Sequence, residues 1–157
     1  MTAHIRPARP DEMNSVYMMG YETWSDGKNE AQFLAECRAS PKYRRGQWRV
    51  LTEGGALLSS LITYRFSART MGIGSIATPP SLRHRGYASR LISGVVSELE
   101  RHENARTIFL FSDIAPAFYR RFGFAALSAE LQKSPGSVCM VRSPATKKRL
   151  PRPPKYF

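Results

Sequence analysis

Three arginines, Arg83, Arg85 and Arg90, and one histidine, His84, stand in the stretch SLRHRGYASRL at positions 81–91, with no acidic residue among them. They open a run whose apolar residues, Leu91, Ile92, Val95, Val96 and Leu99, recur at helical spacing. The N-terminal end of a helix macrodipole is positive, so each cation placed there costs about 0.3 to 1 kcal/mol unless an anion is to be bound. Gly86 lets the backbone approach phosphate oxygens closely, Ala88 keeps the first turn uncrowded, and successive N–H groups in such a loop converge on an anion. The chemistry this predicts is diphosphate binding. The competing reading of the same residues is a solvated arginine loop. The pattern matches neither G-x-x-x-x-G-K-[ST] nor G-x-G-x-x-G.

A second stretch, APAFYRRFGF at 115–124, carries Tyr119 on a short predicted helix that follows an apolar strand. Ligands of crossover folds gather at the C-terminal ends of such strands. A phenol of ordinary pKa, about 10, can protonate a strongly basic leaving group as it departs. A core tyrosine flanked by Phe118 and Phe122 is the alternative.

The elements that must position these residues are legible in outline. HIRPARPDEM reads as a short strand followed by a helix capped by Asp11, with Met13, Val16, Tyr17 and Met19 on one face. YETWSDGKN is a polar, aromatic-bearing loop, and NEAQFLAECRAS a second helix ending before Pro41. QWRVLTEGGALLSSLITYRF splits into two strands at Glu53-Gly54-Gly55, a hairpin turn. TMGIGSIATPP is a third strand rich in small residues, which invites close approach by a ligand or another backbone. The helix after Gly86 and the apolar strand TIFLFSDI then complete a parallel crossover. APAFYRRFGF, with Pro116 at its start and Gly123 at its end, predicts a helix of two turns. FAALSAEL and SVCMVRS can close the sheet as an antiparallel pair.

At 157 residues the chain suits one domain, expected over residues 1–145, with a basic, proline-rich tail at 146–157. The tail, TKKRLPRPPKYF, can form neither helix nor central strand and is expected to run extended, with Tyr156 and Phe157 available to dock on the body or on a second subunit. The net charge of +12 is concentrated in two blocks: residues 41–90 hold nine Lys and Arg against one acid, and 133–157 hold seven against none. A basic block inside folded sequence suggests a polyanionic ligand. A basic tail suggests solvation or loose contact with nucleic acid, but no aromatic interleaves its cations before Tyr156, so base stacking is poorly supported and nucleic acid is not the expected partner. Cys37 and Cys139 are far apart and read as packing residues, and the three histidines are scattered, so no metal site is expected. With no apolar run of about 18 residues and no signal-peptide core at the N-terminus, a soluble cytoplasmic protein without membrane contact is expected, as a monomer or a homodimer.

The two stretches, in this order and separation, together resemble the GCN5-related N-acetyltransferase (GNAT) family over about residues 4–143. Arg83-x-x-Gly86-x-Ala88 resembles its pyrophosphate loop, Q/R-x-x-G-x-G/A, and APAFYRRFGF resembles the motif in which a tyrosine lies against the cofactor sulfur. The resemblance implies an α/β (α+β) fold: a mixed, mostly antiparallel sheet with helices on both faces and a splayed pair of parallel central strands. It implies acetyl-CoA as cosubstrate, with no metal, and direct acetyl transfer to a primary amine of a small molecule or protein. Pantetheine would pair with the backbone of Ile76, Ala77 and Thr78, and Arg83, His84, Arg85, Gly86, Tyr87 and Ala88 would hold the diphosphate. A backbone N–H near Ile76 or Ala77 would stabilise the oxyanion, and Tyr119 would protonate the thiolate. Many relatives place a basic carboxylate on the strand before the pyrophosphate loop, and residues 71–78 contain none. Asp113 is the nearest carboxylate by topology, as base or as helix cap; Glu22, Asp26 and a water relay are the other routes. Tyr21, Trp24 and Tyr64 are expected walls of the acceptor site, and Glu22, Asp26 and Glu30 around its mouth would favour a cationic amine. The competing function is a nucleic-acid-associated module using the tail, with a vestigial or regulatory acetyl-CoA site.

Overall fold

The computed structural model describes residues 2–143 and 150–157. Among these, seven strands form one mixed sheet in the order β1-β2-β3-β4-β5-β7-β6. The strands are β1 His4–Pro7, β2 Gln47–Glu53, β3 Ala56–Arg65, β4 Thr70–Ala77, β5 Thr107–Ser112, β6 Ala125–Ala126 and β7 Val138–Arg142. The helices are α1 Met13–Met18, α2 Tyr21–Trp24, α3 Glu30–Ala39, α4 Pro41–Arg45, α5 Tyr87–His102 and α6 Ala117–Arg120. The chain divides into two compact units, Met1–Thr63 with Ser75–Val95, and Tyr64–Gly74 with Val96–Phe157.

In the first unit β1 runs antiparallel to β2, and β2 to β3. The β2–β3 turn is made by Gly54 and Gly55 at φ +57 and +84. Positive φ at both positions is what a tight type I′ hairpin requires, and glycine meets it without a steric penalty. α3 starts at Asn29, whose side chain accepts from Gln32 N while Gln32 Oε1 accepts from Asn29 N, a reciprocal capping box. α5 turns Leu91, Ile92 and Val95 inward until they are inaccessible to solvent, the burial its apolar stripe dictates. Gly94 on that helix is small for a packing reason, since a Cβ there would come within 2.1 Å of Ile5 Cδ1.

Four local expectations are corrected. Asp11 does not cap α1; the chain enters through a 3-10 turn, Pro10–Glu12, and the Glu12 carboxylate accepts from Arg9 N at 2.8 Å. The YETWSDGKN loop contains α2. α4 follows α3 directly, with Ser40 Oγ accepting from Tyr43 N and Pro41 in the first turn, where its missing N–H does no harm. APAFYRRFGF yields one short helix, α6, rather than two turns, and it stops before Gly123 at φ +83.

In the second unit β4 and β5 are parallel, but their ladder holds only at Thr70↔Thr107, Met71↔Ile108 and Gly72↔Phe109. β5 is antiparallel to β7, and β7 to β6, so the chain passes to the edge before returning. Of FAALSAEL only Ala125–Ala126 is strand, and Ala129–Leu131 forms a 3-10 turn. Phe109, Cys139 and Val141 form a buried cluster covered by Phe111, Leu127, Leu150 and Phe157. Residues 146–149 of the expected tail lie outside the described residues. Residues 150–157 run without helix or strand, and Phe157 packs its ring against Tyr64, Phe66 and Phe111 at 5.1 to 5.3 Å. Gly72 makes room for it: a Cβ there would lie 2.6 Å from Phe157 Cζ.

Candidate active site

In the first unit β4 changes character at Ser75, whose φ of +46 is left-handed. A non-glycine residue in that region is uncommon inside a strand and marks a local break in the ladder geometry. Beyond it Ile76, Ala77 and Thr78 are half-buried. Ser59 Oγ fixes this end, lying 2.8 Å from the Ala77 carbonyl and 3.0 Å from Thr78 Oγ1. Pro80 starts a 3-10 turn, Pro80–Leu82, that leads to the basic loop.

The loop has the conformation an anion cradle needs. His84 has φ +64 and Gly86 φ +81, and two left-handed residues at alternate positions bend the backbone sharply just ahead of the N-terminus of α5, an end that favours anions. The Gly86 carbonyl accepts from Arg90 N at 3.0 Å and so begins α5, leaving the amides of Tyr87 and Ala88 in the first turn, where no intrahelical acceptor exists. A Cβ on Gly86 would meet nothing within 4 Å, so glycine is wanted there for its φ rather than for packing. His84, Arg85 and Arg90 are exposed. Arg83 is held: its Nε donates to the Thr78 carbonyl at 3.1 Å and its Nη1 to Glu22 Oε1 at 3.0 Å. These residues fit a diphosphate, with main-chain donors, a helix N-terminus and guanidinium groups at one loop.

Of the expected acceptor walls in this unit, Trp24 lines a narrow aromatic pocket with Tyr17, Tyr43, Trp48, Ser60 and Ser75. Tyr21 does not; its hydroxyl donates to the Lys28 carbonyl and its ring sits edge-on to Phe33, which closes the segment between α2 and α3. Nor do Glu22, Asp26 or Glu30 line it. Tyr17, Tyr43, Trp48 and Ser60, which line this pocket, are not among the residues the sequence singles out for the site. The signal for them is the polar pair Ser59-Ser60 in the middle of an apolar strand, where both side chains are fully buried.

In the second unit Tyr119 on α6 is buried, with 8% of its surface exposed. Burial first, and the Asp113 charge second, push its phenol up to about 12. It therefore keeps its proton throughout the neutral and moderately alkaline range. Asp113 follows β5 and is exposed. It does not cap α6, which has Pro116 at its N-cap and no side-chain capping bond; instead Asp113 Oδ2 accepts from the Tyr156 hydroxyl at 3.4 Å. Tyr64 is 5% exposed and packs on Phe66 and Phe157. Cys37 and Cys139 are free, buried and pushed up to about 11 by burial, so their thiols are unreactive. Among the described residues there is no group of three or more His, Cys, Asp or Glu able to hold a metal ion, and no helix long and apolar enough to cross a membrane.

The architecture is shared with solved structures. Ard1 of Thermoplasma volcanium superposes with a TM-score of 0.65 at 21% identity over 90% of this chain and 97% of its own. The PaiA N-acetyltransferase of Thermoplasma acidophilum, in complex with coenzyme A, gives 0.68 at 11% identity over 91% and 99%. A GNAT family acetyltransferase of Brucella melitensis, in complex with acetyl-CoA, gives 0.62 at 22% identity over 92% and 91%. At these identities the likeness establishes the fold. No curated protein sequence matches the chain significantly. The family model for an acetyltransferase (GNAT) domain matches residues 4–127, more than half of the chain and including the basic loop and Tyr119, and the chain therefore belongs to the GNAT acetyltransferase family.

Proposed function

We propose that the protein transfers the acetyl group of acetyl-CoA directly to a primary amine. The observation that carries this reading is the turn Arg83–Gly86, with left-handed His84 and Gly86 immediately before the 16-residue helix α5, in a chain of the acetyltransferase family. Arg83, His84, Arg85, Gly86, Tyr87 and Ala88 bind the diphosphate, and the backbone of Ile76, Ala77 and Thr78 pairs with the pantetheine arm.

Acetyl-CoA supplies an activated thioester carbonyl, which the amine attacks as its free base. A main-chain N–H of Ile76 or Ala77 donates to the oxyanion that develops on the carbonyl, and the fixing of this strand end by Ser59 keeps that donor in place without reorganisation. Tyr119 serves the leaving sulfur. A phenol raised to about 12 by burial is a weaker acid than an ordinary thiol, so complete proton transfer to the thiolate is uphill. Tyr119 accordingly acts as a hydrogen-bond donor that stabilises the thiolate as it forms. Asp113, exposed and free of any capping role, takes the proton released by the ammonium, directly or through water.

The test is incubation of the purified protein with acetyl-CoA and a panel of primary amines, reading free thiol release and product mass together. Amine-dependent thiol release with a product 42 Da heavier, the mass of a hydrogen exchanged for an acetyl group, supports the reading. Thiol release that is independent of every amine, or none at all, overturns it.

A further inference from the structure

Ser75 carries the backbone strain of β4. Its φ of +46 is left-handed, a region that is costly for a residue with a Cβ and that persists only where the surroundings hold it. Glycine would meet this angle without a penalty, and the strand TMGIGSIA already uses glycine at Gly72 and Gly74. A serine at the bend therefore points to a use for its hydroxyl. Ser75 Oγ donates to Tyr43 Oη at 3.5 Å.

We infer that Tyr43 is a positioning residue for acetyl transfer: through Ser75 it holds the bend of β4 at the angle that aims the following amide, that of Ile76, at the thioester carbonyl. The inference rests on the acetyl transfer proposed above, which places the oxyanion donor at Ile76 or Ala77.

The amides of Ile76 and Ala77 lie between two hydroxyl contacts. Ser59 Oγ donates to the Ala77 carbonyl at 2.8 Å on one side, and Ser75 meets Tyr43 on the other. At 3.5 Å the second contact is longer than the roughly 2.5 to 3.0 Å of a strong O–H···O bond, so its effect depends on how little Tyr43 can move. Tyr43 is held at both backbone and ring. Its N–H donates to Ser40 Oγ at the start of α4. Its ring stacks on Tyr17 with centroids 6.0 Å apart and meets the Trp48 ring edge-on at 5.0 Å, while Lys42 Nζ stands 5.4 Å from its centroid. The space among these rings is too tight for a water-sized sphere, and packing this dense transmits a displacement of Tyr43 to Ser75 rather than absorbing it. Burial raises the Tyr43 phenol above its ordinary pKa, so Ser75 faces a neutral hydroxyl at neutral pH. An oxyanion donor helps only when it is aimed beforehand at the place where charge develops. A bend free to relax would misdirect that amide and leave the cofactor its binding loop, Arg83–Ala88.

The experiment measures kcat and KM with acetyl-CoA and the most active amine of the panel above, beside thermal unfolding and coenzyme A titration. The proteins are the wild type, Tyr43→Phe, Ser75→Gly and the double variant. Tyr43→Phe keeps the ring and removes the oxygen; Ser75→Gly removes the oxygen and relieves the strain at φ. Each should lower kcat by about 3- to 30-fold, less than the roughly 10²- to 10³-fold for deleting an oxyanion donor. KM and the coenzyme A dissociation constant should stay within about twofold. Ser75→Gly should melt no lower than the wild type, because glycine suits a left-handed position; a purely structural Ser75 would give the opposite, a lower melting temperature with kcat kept. The double variant should lose no more than the larger single loss, since both changes remove one contact. An unchanged kcat in the two single variants, losses that add in the double variant, or a rise in KM that accounts for the whole loss overturns the inference. If Tyr43→Phe does not fold, Ser75→Gly decides alone, and an unchanged kcat counts against the inference. Variants equal to an active wild type defeat this inference and leave the proposed function standing. A wild type that neither binds coenzyme A nor acetylates an amine defeats the proposed function, and this inference with it.

Discussion

Arg83 and Glu22 form an ion pair at 3.0 Å, and through it the basic loop before α5 is tied to α2, on the other side of 61 residues of sequence. The same guanidinium donates to the Thr78 carbonyl, so its position is set by protein groups before any phosphate arrives. Glu22 competes with the diphosphate for Arg83. An exposed pair of this kind is worth about 0 to 1 kcal/mol, so Glu22→Gln should tighten coenzyme A binding by up to about fivefold, measured by titration calorimetry at low salt. Weaker binding in Glu22→Gln would mean that the pair holds Arg83 ready for the ligand instead of competing with it.

At Gly86 conformation and packing can be separated, since a Cβ meets open space but φ is +81. Gly86→Asn, which tolerates left-handed backbone, should retain both stability and coenzyme A affinity. Gly86→Val should lose about 1 to 2 kcal/mol of stability and most of the affinity. Thermal unfolding with and without coenzyme A distinguishes them; equal behaviour of the two variants would show that the turn does not require this φ.

Tyr119→Phe removes one donor to a developing anion, which predicts a kcat lower by about 10- to 100-fold with the dissociation constant of coenzyme A unchanged. Because burial raises the phenol to about 12, Tyr119 stays protonated as pH rises and should cause no alkaline fall in kcat below about pH 11. A fall near pH 10 that disappears in Tyr119→Phe would contradict this assignment.

The Glu12 carboxylate receives hydrogen bonds from Arg6 Nη1 and Arg9 N. The Arg6 bond is the main reason its carboxyl is lowered to about 2. A depressed carboxyl contributes stability that is complete above its unfolded pKa and lost as pH falls through the folded one. The Glu12 contribution should therefore fade between about pH 4.5 and pH 2. Glu12→Gln should cost about 1 to 2 kcal/mol at pH 7 and close to nothing at pH 2. A difference independent of pH in denaturant titrations would sink this account.

Gly72 and Phe157 fit by mutual adjustment, with 2.6 Å between a Cβ at Gly72 and the Phe157 ring. Gly72→Ala should lower stability by about 1 to 3 kcal/mol through overpacking, and pairing it with Phe157→Leu should recover part of the loss. Strict additivity of the two changes would argue that the ring does not occupy this place.

The parts legible in the sequence are those written locally. The Glu53-Gly54-Gly55 turn, the apolar stripe from Leu91 to Leu99 and the Arg83–Ala88 loop each state their conformation within a few neighbouring residues. The parts that were not legible depend on convergence. Tyr17, Tyr43 and Trp48 lie on α1, α4 and β2, and only the tertiary fold brings their rings together. Tyr64 was a plausible acceptor wall by type, but its place is decided by Phe157, 93 positions later. Ser40-Pro41 signals both the end of α3 and the start of α4, and only the bond from Tyr43 N to Ser40 Oγ shows that a second helix begins there. Asp11 has the right chemistry for a cap, yet Glu12 bridges Arg6 and Arg9 and takes that role from it.

The most direct test of the central claim is titration of acetyl-CoA into the purified protein by calorimetry, beside the same titration of Gly86→Val. One saturable site per chain in the wild type, abolished or strongly weakened in the variant, is the predicted result. Absence of heat together with an unshifted melting temperature in the wild type, or equal affinity in both proteins, would contradict the assignment of the Arg83–Ala88 loop to the diphosphate.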